Sequence, residues 1–128
     1  MKVLVVEDEP TSLKLEHVIL ACEGHHVRDA EGSEKALALI KEEKPAIILL
    51  DLGLPGMDGL ALARKLKSDP ETSDISIIAV TGYPDSYRRD DAIAAGCDAY
   101  LVKPVSPRSL PHEVAHAAAK LPGKPALP

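Results

Sequence analysis

Residues 46–50, Ala-Ile-Ile-Leu-Leu, are apolar without interruption and run straight into Asp51. Lys44-Pro45 precede the run, and Gly53 and Pro55 follow it. A short continuous apolar stretch bounded by turn residues reads as a strand buried on both faces, as at the centre of a parallel sheet. Such a strand constrains everything around it. Helices must cover both faces, and each parallel neighbour must return through a crossover.

The remaining sequence supplies those parts in alternation. Val3–Val6 is a strand, and Pro10-Thr11 opens a helix with Leu15, Val18, Ile19 and Cys22 on its inner face, ended by Gly24. His26–Ala30 is a second strand. Ser33 caps a helix carrying Ala36, Leu37 and Ile40. Asp58 caps another through Leu60, Ala63, Leu66 and Lys67. Ile75–Val80 is the fourth strand, Pro84 to Ala95 a helix closed by Gly96, and Ala99–Val102 the fifth strand. Ser106-Pro107 offers a cap for the last helix. Pro111, however, cannot donate to the Pro107 carbonyl, so this helix is expected to start distorted or near Ser109. Five strands alternating with helices predict an α/β, doubly wound sheet with right-handed crossovers. Residues 1–120 form one domain. Residues 121–128, with three Pro in eight, are expected to be a disordered tail.

Composition narrows the class. The chain has 128 residues, 45% hydrophobic and 27% charged, enough for one sizeable core. Aromatics are 2%, with no Phe and no Trp, so the core must be aliphatic. A net charge of -5 argues against direct nucleic-acid binding, which needs a basic face. Arg88-Arg89 is followed at once by Asp90-Asp91 and reads as a solvated helix face. There is no apolar stretch near the ~20 residues of a membrane span, and no secretory h-region. A reduced, cytoplasmic protein is expected, with Cys22 and Cys97 as small core hydrophobes.

The strand ends carry the chemistry. In a parallel sheet, strand ends of one polarity meet on one edge, where ligands bind. Here Glu7-Asp8, Asp51, Thr81 and Lys103 each follow an apolar run. Three crowded carboxylates need a cation, and an all-oxygen set favours Mg²⁺ over zinc. With Thr81 and Lys103 added, the edge suits a phosphoryl group. Asp51 is the candidate nucleophile, and Glu7 and Asp8 the metal-holding pair.

These residues stand in four segments. Val5-Val6-Glu7-Asp8-Glu9-Pro10, Leu50-Asp51 through Gly59, Ala79-Val80-Thr81-Gly82, and Ala95-Gly96 through Lys103-Pro104 together resemble the receiver domains of two-component response regulators, over roughly residues 2 to 120. The resemblance implies a flavodoxin-like fold with strand order 2-1-3-4-5. It implies Asp51 as phosphoacceptor, and Mg²⁺, with Mn²⁺ as a substitute, held by Glu7, Asp8, Asp51 and the Gly53 carbonyl. Thr81 and Tyr100 would form the switch, Lys103 would bind the phosphoryl group, and Lys103-Pro104 would be a cis peptide. The donor would be a phosphohistidine on a sensor kinase or phosphotransfer protein. The fourth helix, fifth strand and fifth helix would change shape to control a protein partner or pass the phosphoryl group on. A single-domain regulator is expected. Gly53 and Tyr83, two residues after Asp51 and Thr81, border the approach of water to the phosphoryl group, one open and one bulky.

Other classes fit less well. A phosphorylation-independent docking module with the same fold is the alternative, although every chemical residue is present. A phosphatase using an aspartyl phosphate would need a second Asp where Gly53 stands. His112-Glu113-Val114-Ala115-His116 matches the zinc motif H-E-x-x-H. Residues 117–128 offer no third ligand, and an amphipathic terminal helix is the expected reading.

Overall fold

A computed structural model describes residues 1–120. The expected tail, residues 121–128, lies outside the described residues. Five strands, β1 (Lys2–Val6), β2 (His26–Ala30), β3 (Ile47–Asp51), β4 (Ser76–Thr81) and β5 (Ala99–Val102), alternate with five helices. These are α1 (Pro10–Cys22), α2 (Ser33–Glu42), α3 (Gly59–Ser68), α4 (Arg89–Ala94) and α5 (Ser109–Ala119). All paired strands are parallel, in the order β2-β1-β3-β4-β5. This is the doubly wound, flavodoxin-like order expected from the sequence.

Alternation along each strand divides the core into two layers. Leu4, Val6, Ile48, Leu50, Ile77 and Ala79 face α2, α3 and α4, where Ala36, Ile40, Leu62, Leu66 and Ala92 meet them. Val3, Val5, Ile47, Leu49, Ile78 and Val80 face α1 and α5, meeting Ile19, Leu20, Leu110 and Val114. Central β3 and β4 are buried at every position, which is why residues 46–50 carry no polar residue. Truncating one of these side chains, such as Ile48→Ala, costs about 2–5 kcal/mol.

The helix ends depart from expectation in instructive ways. Asp58 caps α3 as expected, accepting from the Ala61 N–H at 2.9 Å. Ser33 does not cap α2. It is the first helical residue, behind Gly32 as N-cap, and its hydroxyl instead donates to the Met57 carbonyl at 2.8 Å. That bond ties α2 to the loop after β3. The helix expected over Pro84 to Ala95 is only α4, Arg89–Ala94. Residues 83–87 make a separate turn in which the Ser86 and Tyr87 N–H groups both donate to the Tyr83 carbonyl. Arg88 between them is extended (φ -81°, ψ 159°). α5 starts at Ser109, so Pro111 falls in its first turn, where no N–H is needed. The Ser106 hydroxyl accepts from the Arg108 and Ser109 N–H groups ahead of that turn.

α1 shows the largest misreading. Its buried residues are Glu16, Ile19 and Leu20, while Leu15 and Val18 are exposed. Cys22, expected in the core, is exposed as well, whereas Cys97 is buried. Burial pushes the Cys97 thiol up to about 12 and leaves it unreactive.

Candidate functional site

Three strand ends of one polarity deliver the acidic residues and the ammonium. β1 continues one step past Val6, since the Glu7 N–H still donates to Ala30 O of β2. Its neighbour β3 ends on Asp51 itself. β5 runs through Val102 into Lys103, whose N–H donates to Thr81 O at 2.8 Å. By strand alternation Glu7 shares the face of Val3 and Val5, Asp51 that of Ile47 and Leu49, and Lys103 that of Ala99 and Leu101. All three thus belong to the α1/α5 side. Thr81 and Tyr100 have the opposite parity, shared with Ile77 and Ala79 on the α2–α4 side. The charged set and the hydroxyl–aromatic pair occupy the two faces of one sheet edge.

Each of Glu7, Asp8 and Asp51 offers a carboxylate oxygen, and these oxygens lie within 4.8 Å of one another. Opposite ligands of an octahedral Mg²⁺ stand about 4.2 Å apart, so a small closing movement or an intervening water completes such a shell. The donor set is all oxygen, and two of its members are buried while Asp8 is exposed to exchange waters. These residues fit a hard divalent cation.

Lys103 Nζ sits 2.6 Å from Glu7 Oε1 and 3.6 Å from Asp51 Oδ2. The closer approach is an ion pair between the Lys103 ammonium and the fully buried Glu7 carboxyl. Glu7 Oε2 accepts from the Glu9 N–H at 3.1 Å. Burial raises the Glu7 carboxyl to about 7 against the pull of Lys103 and that N–H. Burial works against the Lys103 ammonium too, but Glu7, Asp51 and Glu16 outweigh it and hold its pKa above the ordinary value. Asp51 Oδ1 accepts from the Gly53 N–H at 3.1 Å, which fixes the carboxylate against its own loop.

That loop is held from beneath by Gly59, the first residue of α3. A Cβ there would press on the Asp51 carbonyl oxygen and lie 2.6 Å from Leu52 Cα, so only glycine lets α3 start so close to β3. Above Gly53 stand two tyrosines. A Cβ at Gly53 would meet the Tyr87 ring at 3.6 Å and the Tyr83 ring at 3.9 Å. Tyr83 is otherwise exposed. Thr81, fully buried, accepts from the Tyr83 N–H through Oγ1 at 2.9 Å. Tyr100 is turned inward, its hydroxyl donating to the Tyr87 carbonyl at 2.5 Å, with the Arg89 guanidinium 5.3 Å from its ring centroid. The Lys103-Pro104 peptide is cis.

Two participants were invisible in the sequence. Tyr87 borders the site through a turn that the sequence reads as helix. Glu16 is buried on α1, at a position where a helical pattern calls for an apolar residue, and the charges of Glu7, Asp51 and Lys103 act on its carboxyl.

Residues 3–115 match the family model of the response regulator receiver domain. The chain belongs to the response regulator receiver family. The phosphate regulon transcriptional regulatory protein PhoB of Pseudomonas aeruginosa is 40% identical over 84% of this chain and 47% of its own length. Protein PilH of the same organism is 35% identical over 85% of this chain and 90% of its own. Of solved structures, a CheY-like receiver domain protein from Methanospirillum hungatei superposes with a TM-score of 0.82 at 33% identity, over 90% of each chain. The chain spans about half the length of the first curated relatives it matches. It is thus a receiver domain of two-component signalling, a fold of signalling proteins. Among the described residues of this receiver, no helix is long and apolar enough to cross a membrane.

Proposed function

We propose that this receiver accepts a phosphoryl group on Asp51 from the phosphohistidine of a sensor kinase or phosphotransfer protein. The observation that carries this is the convergence of the Glu7, Asp8 and Asp51 carboxylates within 4.8 Å, with Lys103 Nζ 3.6 Å from Asp51. An Asp51 oxygen forms the new P–O bond as the donor's N–P bond breaks, and the leaving imidazole nitrogen keeps the electron pair. Glu7, Asp8, Asp51 and the Gly53 carbonyl would hold Mg²⁺, or Mn²⁺ in its place. The ion supplies charge neutralisation on the phosphoryl oxygens. Lys103 neutralises further charge, for which it must shift from Glu7 towards Asp51.

The signal follows from the two faces of the sheet edge. Thr81 leaves the Tyr83 N–H to donate to the phosphoryl group, and the turn at residues 83–87 moves with it. Tyr100 is tied to that turn through Tyr87, so the α4-β5-α5 surface changes shape. That surface controls a protein partner or passes the phosphoryl group on. The receiver acts in the cytoplasm, through the domain formed by residues 1–120.

Intact mass after incubation with acetyl phosphate and Mg²⁺, with and without EDTA, tests this. Wild type gains one phosphoryl group only with metal, and Asp51→Asn gains none. An equal gain in Asp51→Asn defeats the assignment. So does the absence of any gain from both acetyl phosphate and a phosphorylated kinase.

A further inference from the structure

Gly53 leaves a gap beside Asp51, and two aromatic rings close on it. The point where a Cβ would stand on Gly53 lies 3.8 Å from Asp51 Oδ1, 3.6 Å from Tyr87 Cε2 and 3.9 Å from Tyr83 Cδ2. The carboxylate oxygen and both rings thus border one small space. The rings are not equivalent. Tyr83 is 70% exposed, whereas Tyr87 packs against the core layer shared by α2, α3 and α4. Cε2 adjoins the ring carbon that bears the hydroxyl, so the far edge of this anchored ring reaches over the Asp51 loop.

The turn that carries Tyr87 is tethered at both ends. Its Ser86 and Tyr87 N–H groups donate to the Tyr83 carbonyl, which closes residues 83–87 into one unit. At one end the Tyr83 N–H donates to Thr81 Oγ1 at 2.9 Å. At the other the Tyr87 carbonyl accepts from the Tyr100 hydroxyl, and the Arg89 guanidinium stands over the Tyr100 ring. On the proposed reading, phosphorylation draws Thr81 away from the first tether. The bond from Tyr100 then holds the turn.

An aspartyl phosphate is a mixed anhydride, and water cleaves it. The water oxygen bonds to phosphorus, the P–O bond to Asp51 breaks, and the carboxylate keeps the electron pair. The water proton passes to solvent as inorganic phosphate forms. A side chain that covers the phosphorus slows this step by excluding water.

We propose that Tyr87 is a lid on this hydrolysis: its ring restricts the approach of water to the phosphoryl group on Asp51, and the Tyr100 hydroxyl holds the lid in place. The phosphoryl lifetime is thereby set in part by Tyr100, from outside the pocket. This rests on the reading of Asp51 as phosphoacceptor.

The test loads the full chain with acetyl phosphate and Mg²⁺, removes the donor by desalting, and follows loss of the phosphoryl group by intact mass. Tyr100→Phe removes one neutral hydrogen bond and should shorten the half-life roughly 2- to 10-fold. Tyr87→Ala should shorten it at least as much. Tyr87→Leu keeps an apolar side chain against the core but lacks the far ring edge, and should behave as Tyr87→Ala does. Acetyl phosphate enters by the same opening as water. Both Tyr87 variants should therefore gain the phosphoryl group at least as fast as wild type, which a merely loosened fold would not do. A wild-type half-life in both Tyr87 variants overturns the inference and leaves the phosphoacceptor standing. So does a slower gain in Tyr87→Leu than in wild type. A wild-type half-life in Tyr100→Phe, with the Tyr87 variants short-lived, overturns the tether. No gain by wild type from acetyl phosphate or a phosphorylated kinase overturns both the inference and the reading it rests on.

Discussion

At the scale of single residues, Lys103 decides the electrostatics of the pocket. It is the ammonium that answers Glu7, Asp51 and Glu16. Removing one partner of a buried ion pair leaves the other charge uncompensated, at about 3–5 kcal/mol when burial is complete. Here Glu7 can keep its proton instead, so Lys103→Met should cost less, about 1–2 kcal/mol at pH 8 without metal. It should cost less again at pH 5, where Glu7 is protonated. Urea unfolding in EDTA at the two pH values measures this, and an equal loss at both would refute it. The residues around Lys103 were legible in sequence because each terminates an apolar run. Glu16 was not, for the same reason inverted. A search for apolar residues at helical spacing selects Val18 and Cys22, both exposed, and passes over an acid that occupies the buried stripe.

Elements were legible where a local signal fixes them and obscure where a distant contact does. The strands, the Asp58 cap and the late start of α5 all follow from neighbouring residues, whereas the strand order comes from the resemblance to receiver domains. The turn at residues 83–87 follows from neither. Its Tyr87 carbonyl is engaged by the hydroxyl of Tyr100, 13 positions away, and no helical periodicity records that. The β3–α3 connection has a comparable hidden constraint in Gly59. Ala is ordinarily the better helix former, worth about 1 kcal/mol over Gly. At this position its methyl would meet backbone atoms of Asp51 and Leu52, which cannot rotate away. Gly59→Ala should therefore destabilise the protein by about 3 kcal/mol and slow phosphorylation of Asp51 by displacing its carboxylate. Chemical denaturation and the acetyl phosphate reaction read the two effects, and a stability equal to or above wild type would contradict the close approach.

For the molecule as a whole, the buried acids make stability depend on pH. The folded-state values of Glu7 and Glu16, about 7 and about 8, lie above the 4.5 of an unperturbed glutamate. The folded state therefore holds these protons more tightly than the unfolded chain does. The stability this contributes is complete below about pH 4.5 and is lost as pH rises through 7 and 8. The melting temperature in EDTA should fall by roughly 5–10 °C between pH 5.5 and pH 8.5. On the proposed reading Mg²⁺ would bind only the folded pocket, with its carboxylates ionised, so it should recover most of that loss at pH 8.5 and little at pH 5.5. A flat or rising profile in EDTA would contradict the burial of both groups. The aliphatic core has one more consequence, an optical one. With no Trp and no Phe, all near-ultraviolet absorption by aromatic rings comes from Tyr83, Tyr87 and Tyr100. Two of these rings stand over Gly53, and the third is bonded to the turn that carries them. The rest of the molecule is spectroscopically silent, so the near-ultraviolet dichroism and tyrosine emission of the whole chain are local signals from the corner where Asp51 meets solvent.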